Sequence, residues 1–310
     1  SIYPEYQGLK ERFINNIEEN GVSSNINEKN IGIFNGVDAG IHAIFHAYGD
    51  RGDSFITTTP TFGYYRPCAE MQGMNIIEVP YIGNHFEFPL IEINKKILEQ
   101  NPKILMICNP NNPTGSRLNP HEIIKISKSF PNTLLIIDEL YEAFTGDSVL
   151  PYIKLKERRN IVILRSLSKT AGLAGLRIGF AIGDEKVIDR IKRVTGPYDV
   201  NSFAVKAAFA ALEDQSYTNT YVKKVLSSRE WIKNQLKNTS LRFHIDGGNY
   251  FLVWPKNKPH LVESYLRNKG ILIRDMSGKN LIYDSIRVSI GTLDQMKIFW
   301  KEFSEFESLY

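Results

Sequence analysis

A lysine that lies among hydroxyl residues and glycines is the part of this sequence best suited to chemistry. The stretch runs from Ser166 to Arg177 and reads SLSKTAGLAGLR, with the lysine at Lys169. A buried lysine can lose its proton and attack a carbonyl carbon. Small residues beside it let backbone N–H groups and hydroxyls approach an anion closely. The stretch therefore predicts either a nucleophilic lysine next to an anion site or an exposed lysine in a loop.

A carboxylate follows the apolar run 134–137, in the sequence DELYE from Asp138 to Glu142. A carboxylate at the end of a buried strand costs free energy unless it meets a cation or a hydrogen-bond donor. Asp138 therefore predicts such a partner, and a helix cap is the alternative interpretation.

Two further motifs follow predicted strands. The sequence NPNNPTG at 109–115 predicts a rigid loop whose Asn side chains can donate and accept hydrogen bonds, or else a structural turn. The sequence PTFGYY at 60–65 contains Phe62, which either packs into the core or forms a platform under a flat ring.

An anion site is also predicted near the start of the chain. A short strand at 31–34 leads through NGVDAG at 35–40 to a helix at about 41–48. A strand, a glycine turn and a helix N-terminus can bind phosphate through free backbone amides. Many turns of this kind bind nothing, so the motif gains meaning only from its neighbours.

The chain alternates between strands and helices. Strands are predicted at 54–58, 75–79, 103–108, 133–137, 161–165 and 178–182, and helices at 62–73, 90–99, 119–129, 184–194 and 201–214. This order predicts an α/β fold with a mainly parallel sheet that helices cover on both faces. Ligands of such sheets bind beyond the carboxyl ends of the strands, where each motif above lies.

Three regions are predicted from this pattern. Residues 1–30, with a helix at 7–20, form an N-terminal segment that contributes to the small domain or to a dimer contact. Residues 31–219 form a large domain, and residues 220–310 form a smaller C-terminal α/β domain. Within and just before the last region we expect strands at 242–245, 250–254, 271–274 and 286–290, and helices at 217–236, 258–268 and 292–306.

Composition argues against several classes of protein. The 310 residues carry a net charge of +4 with dispersed basic residues, which argues against nucleic-acid binding. The six histidines, of which His42 and His46 share an i, i+4 spacing, complete no motif of a metal site, so none is predicted. No apolar run approaches the roughly 18–20 residues of a membrane span, and no signal peptide is visible. With two cysteines in no redox or metal motif, these features predict a cytoplasmic protein.

Together, these motifs resemble those of the pyridoxal-phosphate aminotransferases of fold type I, and within them the histidinol-phosphate aminotransferase branch. The resemblance extends from Tyr3 to Thr292. It rests on GVD at 36–38, TFG at 61–63, NPNNPTG at 109–115, DELY at 138–141, the stretch 166–177 and IRVSIGT at 286–292. It implies the large domain of that fold with a smaller C-terminal α/β domain.

The resemblance implies roles around pyridoxal 5′-phosphate. Lys169 matches the lysine that binds the cofactor aldehyde covalently and moves a proton during catalysis. Asp138 matches the carboxylate that pairs with the pyridine nitrogen. Asn112 and Tyr141 match donors to the 3′-oxygen of the ring. Phe62 matches the stacking aromatic, which is often a tyrosine in the family.

It also implies contacts to the cofactor phosphate, which carries about two negative charges. The expected groups are the amides of Val37 and Asp38, the hydroxyls of Ser166 and Ser168, the guanidinium of Arg177, and Tyr3 reaching the neighbouring subunit. The last contact implies a homodimer with shared sites.

Arg287 matches the arginine that binds the substrate α-carboxylate, and Arg274 is expected to face a second anionic group. A surface salt bridge is the alternative for each. The family carries several dozen residues before the position of Tyr3, including a segment that closes over the substrate. Either that segment lies outside this numbering or the lid is reduced.

The resulting hypothesis is an aminotransferase that exchanges an amino group between glutamate and 2-oxoglutarate on one side and a phosphorylated amino substrate on the other. Histidinol phosphate is the first choice of substrate. A threonine-phosphate decarboxylase and a catalytically silent module of the same fold are the alternatives.

Overall fold

The computed structural model describes residues 5–22 and 26–309. Within them the strands are β1 (Ile31–Phe34), β2 (Ser54–Thr59), β3 (Asn75–Pro80), β4 (Ile104–Cys108), β5 (Leu134–Asp138), β6 (Ile161–Ser166), β7 (Gly179–Gly183), β8 (Phe243–His244), β9 (Tyr250–Val253), β10 (Arg274–Asp275) and β11 (Ile286–Ser289). The α-helices are α1 (Gln7–Glu19), α2 (Gly36–Tyr48), α3 (Tyr65–Met71), α4 (Leu90–Gln100), α5 (Pro120–Ser129), α6 (Glu185–Lys192), α7 (Ser202–Glu213), α8 (Gln215–Lys237), α9 (Pro259–Asn268) and α10 (Leu293–Phe306). None of the helices in these ranges is both long and apolar enough to cross a membrane.

The first seven strands form one sheet in the order β1-β7-β6-β5-β4-β2-β3. β7 pairs antiparallel with both β1 and β6, and the other pairings are parallel. The predicted mainly parallel sheet is therefore confirmed. Because the other six strands run in one direction, their carboxyl ends meet at a single edge, and β7 begins there.

Strand β5 shows why these segments are continuously apolar. Leu135 and Ile137 pack into a core cluster with residues of α1, α4, α5 and α7. Leu134 and Ile136 pack into a second cluster with α2, α3 and α6. Since successive side chains point to opposite faces, a strand covered on both sides must be apolar at every position.

Helix α1 packs on this same large sheet. Its Phe13 ring stacks on Phe180 of β7 with centroids 4.0 Å apart. Arg12 donates to the carbonyl of Leu212 at the end of α7, over 2.7 Å. The proposed role of residues 1–30 in the small domain or a dimer contact stays a prediction.

The last four strands form an antiparallel sheet in the order β10-β11-β9-β8. Helices α8, α9 and α10 pack on it through residues such as Val225, Val262 and Phe299. The predicted boundary between residues 219 and 220 falls inside α8 and stays a prediction.

The predicted strand at 271–274 is wrong, because the chain pairs only at Arg274–Asp275. The apolar residue Ile271 instead belongs to the end of α9, where its N–H donates to Leu266 over 2.9 Å. Gly270 adopts φ +78° and donates to Arg267, which completes a Schellman cap. The apolar run at 271–274 therefore belongs partly to the cap of α9 and partly to the short strand β10.

The second sheet is joined to the loop that follows β4. The Tyr250 hydroxyl donates to the Asn111 carbonyl over 2.5 Å, and the Gly247 N–H donates to Gly115 over 2.9 Å. Arg117 adds ion pairs with Asp147 and Asp246. The second sheet is thereby placed beside the carboxyl edge of the first.

Candidate active site

A cavity of about 220 Å³ lies at the carboxyl edge of the large sheet. The predicted cofactor-binding residues Val37, Asp38, Phe62, Asn112, Asp138, Tyr141, Ser166, Ser168, Lys169 and Arg177 all line it. The remaining predicted residue, Tyr3, lies outside the described residues. Five separate segments of the chain thus meet at one place, as the strand directions require.

Lys169 is half-buried in the loop that follows β6. Its Nζ lies 5.5 Å from the centroid of the Tyr141 ring. Burial lowers the pKa of Lys169, and the positive charges of Arg287 and Arg177 add to that effect against Asp138 and Asp38. A lowered pKa increases the fraction of neutral amine, which is the nucleophilic form.

Asp138 is buried at the end of β5. Its Oδ2 accepts from the Tyr65 hydroxyl over 2.6 Å, and its Oδ1 accepts from the Leu140 N–H over 3.2 Å. The alternative of a helix cap is therefore wrong, because the carboxylate meets donors and caps no helix. Burial raises the pKa of Asp138 to about 6, although the Tyr65 hydroxyl and the Leu140 amide oppose the rise.

The predicted anion site is the N-terminus of α2. This helix begins at Gly36 rather than at about residue 41, so Val37 and Asp38 lie in its first turn. The first N–H groups of a helix have no partner within it. Gly179 permits this placement, because a Cβ there would lie 2.4 Å from the Val37 nitrogen.

Hydroxyl and guanidinium groups surround the same helix N-terminus. Ser166 Oγ donates to Ser168 Oγ over 2.8 Å and accepts from the Ser168 N–H over 3.0 Å. Arg177 Nη2 donates to Asp38 Oδ2 over 2.6 Å. This ion pair places Arg177 at the N-terminus of α2. A guanidinium has five N–H donors, so others remain for an anion.

A chain of contacts joins the aromatic side of the cavity to the second sheet. Asn112 Nδ2 donates to the Tyr141 hydroxyl over 3.3 Å, and Arg287 Nη1 donates to Asn112 Oδ1 over 2.5 Å. The Tyr141 ring meets the edge of Tyr250 with centroids 5.0 Å apart. Burial raises the pKa of Tyr141, so its hydroxyl stays protonated and can donate.

The two predicted substrate arginines are not part of the cavity lining, but they lie on neighbouring strands. Arg274 of β10 pairs directly with Arg287 of β11. Directly opposed like charges in a sheet are destabilising, and an anion beside them relieves the repulsion. Arg287 Nε is buried and has no hydrogen-bond partner within residues 5–22 and 26–309. An acceptor with two oxygens, such as a carboxylate, would satisfy this donor.

Sequence reasoning missed two tyrosines that shape the site. Tyr65 stands in the quoted PTFGYY motif, but nothing in the spacing shows that its hydroxyl reaches Asp138. Tyr250 begins a buried strand and looks like an ordinary core aromatic, yet it supports Tyr141 and Asn111. The burial of Tyr65, which requires a hydrogen-bond partner for its hydroxyl, is evident only in the fold, so the sequence carried no signal for it.

Comparison with known proteins identifies relatives of the whole chain. The family model for aminotransferases of class I and II matches residues 2–303. The histidinol-phosphate aminotransferase of Clostridium novyi is 32% identical over 271 residues, which are 87% of this chain and 74% of that protein.

Two solved structures share the fold. One is a histidinol-phosphate aminotransferase from Sinorhizobium meliloti in complex with pyridoxal-5′-phosphate, with a TM-score of 0.88 and 23% identity over 99% of this chain and 83% of that one. The other is L-threonine-O-3-phosphate decarboxylase from Porphyromonas gingivalis, with a TM-score of 0.81 and 24% identity over 98% and 89%. These likenesses confirm the predicted α/β fold.

Proposed function

Because this chain belongs to the class I and II aminotransferases, we propose that it uses pyridoxal 5′-phosphate to transfer an amino group. The exchange runs between glutamate and 2-oxoglutarate on one side and a phosphorylated amino substrate on the other. Histidinol phosphate is the substrate we favour, after the relative from Clostridium novyi. The observation that carries the proposal is the meeting of Lys169, Asp138 and the α2 N-terminus in one cavity.

The groups around the cavity fit the three reactive parts of this cofactor. The α2 N-terminus, Ser166, Ser168 and Arg177 suit its phosphate. The buried carboxylate of Asp138 suits a protonated ring nitrogen, and the amine of Lys169 suits the aldehyde. When bound, the cofactor supplies a ring that accepts electrons released at the substrate Cα.

Lys169 has two roles in this proposal. Its neutral amine, favoured by the lowered pKa, would hold the cofactor through its aldehyde. When not bound to the cofactor, the same amine would be placed to accept the proton from the substrate Cα and to donate it again. Both roles use the neutral amine, and partial burial shifts the pKa of Lys169 in the direction that favours it.

The carboxylate of Asp138 would pair with the cofactor's ring nitrogen and, when ionised, would favour the protonated form of that nitrogen. In the cofactor-free chain burial raises the pKa of Asp138 to about 6. An adjacent positive charge lowers the pKa of a carboxylate. A protonated ring nitrogen in the cavity would therefore favour the ionised form of Asp138. Asn112 and Tyr141, which lie within hydrogen-bond distance of each other at the cavity, would donate to the ring 3′-oxygen.

Arg287 orients the substrate. Its buried Nε and the fork of its guanidinium suit the α-carboxylate of glutamate, while exposed Arg274 meets the second anionic group. Both a phosphate and a side-chain carboxylate fit that description. One pair of arginines would then serve both substrates of the exchange.

We also propose a homodimer. Val194, Tyr198 and Phe203 expose large apolar side chains in the segment between α6 and the start of α7, and Phe203 is 82% exposed. Asn201 in this segment donates to the carbonyl of Leu176, which precedes Arg177 in the phosphate site. A partner that covers this surface would border the cofactor site. We expect a Phe203→Asp variant to sediment as a monomer, and an unchanged sedimentation coefficient would count against this interface.

A cytoplasmic location is also part of the proposal. It is supported by the two cysteines, Cys68 and Cys108, which are buried as free thiols.

Two assays separate this function from its alternatives. The purified protein with added pyridoxal phosphate should absorb near the visible edge, and a Lys169→Ala variant should lose that band. With histidinol phosphate and 2-oxoglutarate, glutamate should form without release of carbon dioxide. Release of carbon dioxide from threonine phosphate, without transamination, would instead support a decarboxylase. Failure of the wild-type protein to take up the cofactor would support a silent module.

A further inference from the structure

Among the residues that the structure describes, Tyr65 is the one side chain that donates a hydrogen bond to Asp138. Tyr65 opens helix α3, is fully buried, and donates its hydroxyl to Asp138 Oδ2 over 2.6 Å. The only other hydrogen bond to this carboxylate within the described residues comes from the Leu140 amide at 3.2 Å. A carboxylate has about four lone-pair sites, so roughly half remain for a group in the cavity.

Packing alone holds the Tyr65 ring in place, independently of the hydrogen bond to Asp138. The ring packs in the core cluster that contains Phe45, Cys68 and Met106, and its edge meets Phe62 with centroids 5.5 Å apart. Phe62 lies at the cavity, three residues earlier in the chain. The hydroxyl therefore has little freedom to leave Asp138, and a fixed donor fixes the rotation of the carboxylate.

We propose that Tyr65 is a positioning residue, whose hydroxyl fixes the orientation of Asp138 and keeps its carboxylate ionised toward the cofactor's ring nitrogen. This proposal rests on the function proposed above. It assigns Tyr65 an action through Asp138 and no contact with the cofactor.

Burial and the charges around Asp138 show which effects on its pKa the Tyr65 hydroxyl opposes. The titratable groups that face Asp138 are Tyr65 of α3, Cys108 at the end of β4, Asp38 of α2, Tyr141, and Lys169 in the loop after β6. Burial and Asp38 raise the pKa of Asp138, whereas Tyr65, the Leu140 amide and Lys169 lower it. Burial also raises the pKa of Tyr65 well above its usual value, so this hydroxyl remains a donor at any working pH.

Loss of the Tyr65 hydroxyl should therefore raise the pKa of Asp138. The test measures urea unfolding of the cofactor-free protein from pH 4 to pH 8, for wild type, Tyr65→Phe, Asp138→Asn and the double variant. In wild type, the stability that protonated Asp138 contributes is lost as the pH rises to about 6. In Tyr65→Phe this loss of stability should continue to a pH about one unit higher. One pKa unit corresponds to about the free energy of a hydrogen bond to a charged group.

Two comparisons distinguish positioning from packing. In the Asp138→Asn background, Tyr65→Phe should leave the pH profile unchanged, because no carboxylate remains to titrate. The matched control is Tyr81→Phe, which also removes a buried hydroxyl, here one paired with Thr58 over 3.3 Å. It should lower stability equally at every pH. A Tyr65→Phe profile parallel to that of Tyr81→Phe would overturn the proposal.

A second variant covers the case in which Tyr65→Phe does not fold. Site-specific 3-fluorotyrosine at position 65 keeps the ring and makes the hydroxyl a stronger donor. It should move the Asp138 transition to lower pH, and a transition that stays in place would overturn the proposal.

The loaded enzyme gives an independent result. Tyr65→Phe should lower kcat about tenfold with little change in KM, since Asp138 would hold the ring nitrogen less well while Arg287 is untouched. An unchanged kcat in a protein that transaminates would refute the role of Tyr65. A wild-type protein that fails to transaminate would refute the proposed function instead, and the stability profiles would still report on Tyr65.

Discussion

Two neighbouring carboxylates, Asp138 and Glu139, are both buried at the end of β5 and have opposite surroundings. Glu139 accepts from Arg165 Nε at 2.9 Å, Ser148 Oγ at 2.9 Å and the Val149 N–H at 2.8 Å. Asp138 accepts from one hydroxyl and one amide and faces the cavity. Successive residues of a strand point to opposite faces, so adjacent acids can serve different ends. One carboxylate is fully paired within the protein, and the other keeps acceptor capacity for a ligand.

The arginines repeat this contrast. Every nitrogen of Arg165 has a partner, since Nε binds Glu139, Nη2 binds Ser148 and Nη1 binds Glu142. Arg287 has Asn112 on one nitrogen and leaves Nε buried without a partner in the described part of the chain. A buried donor without a partner is unusual in folded proteins. Because Arg287 also donates to Asn112, which lines the cavity, a ligand there is the partner we propose for it. Burial alone therefore does not distinguish Arg165 from Arg287, whereas incomplete pairing next to the cavity does.

The largest effect should follow from breaking the paired cluster. Arg165→Met leaves Glu139 and Glu142 without their cation, which we expect to cost about 3–5 kcal/mol of unfolding free energy. Urea unfolding of the cofactor-free protein measures this. Arg159→Met, at an exposed arginine just before β6, is the control and should change stability by less than about 0.5 kcal/mol. Equal effects of the two variants would show that the Arg165 cluster is not structural.

Asp138→Asn should act on activity rather than on folding. Removal of this charge should lower kcat by about 10² to 10³-fold, the size of other preorganised electrostatic contributions. The cofactor-free variant should be at least as stable as wild type at pH 8, because a buried charge has been removed. Steady-state kinetics and urea unfolding on the same samples measure both quantities. Loss of stability with kcat retained would reverse the roles given to Asp138 and Glu139.

The pH dependence of stability should differ between cofactor-free wild type and cofactor-free Asp138→Asn. The folded pKa of Asp138 is raised from 3.8 to about 6, so its protonated form stabilises the fold fully below pH 3.8 and that contribution is lost by about pH 6. The difference in stability between wild type and Asp138→Asn should fall by about 3 kcal/mol across this window. A flat difference would mean that Asp138 ionises at its ordinary pKa.

Arg287→Lys should produce the smallest change. It keeps the charge and loses the fork, so KM for glutamate should rise roughly 10- to 100-fold. Stability should stay within about 0.5 kcal/mol, because Nε has no protein partner to lose and the lysine ammonium can still donate to Asn112. An unchanged KM would remove Arg287 from the substrate site.

Much of this arrangement could be predicted from the sequence. Apolar runs at regular spacing predicted the strands of the large sheet, and their shared direction predicted that the motifs after β2, β4, β5 and β6 would meet. Helix α2 was placed too late because its first residues, Gly36 and Asp38, favour turns and caps as much as helices. The run at 271–274 was assigned to one strand because a Schellman cap uses apolar residues too.

The pairing that separates Asp138 from Glu139 could not be predicted. Arg165, Ser148 and Tyr65 come from distant positions in the chain, and only the folded sheet brings them to adjacent acids. The position of Asp138 after an apolar run predicted that it meets a donor or a cation, and the resemblance implied its role, while Glu139 carried no separate prediction. Side-chain pairing across strands is a property of tertiary structure, and a single sequence contains no direct signal of it.

The most direct test is to locate the cofactor on the chain. Purified protein loaded with pyridoxal 5′-phosphate is reduced with borohydride, digested and mapped by mass spectrometry. We expect one modified peptide, with the cofactor on Lys169, and none in a Lys169→Ala variant. Modification spread over surface lysines, or a single site at another lysine, would contradict the assignment of the cavity as the active site.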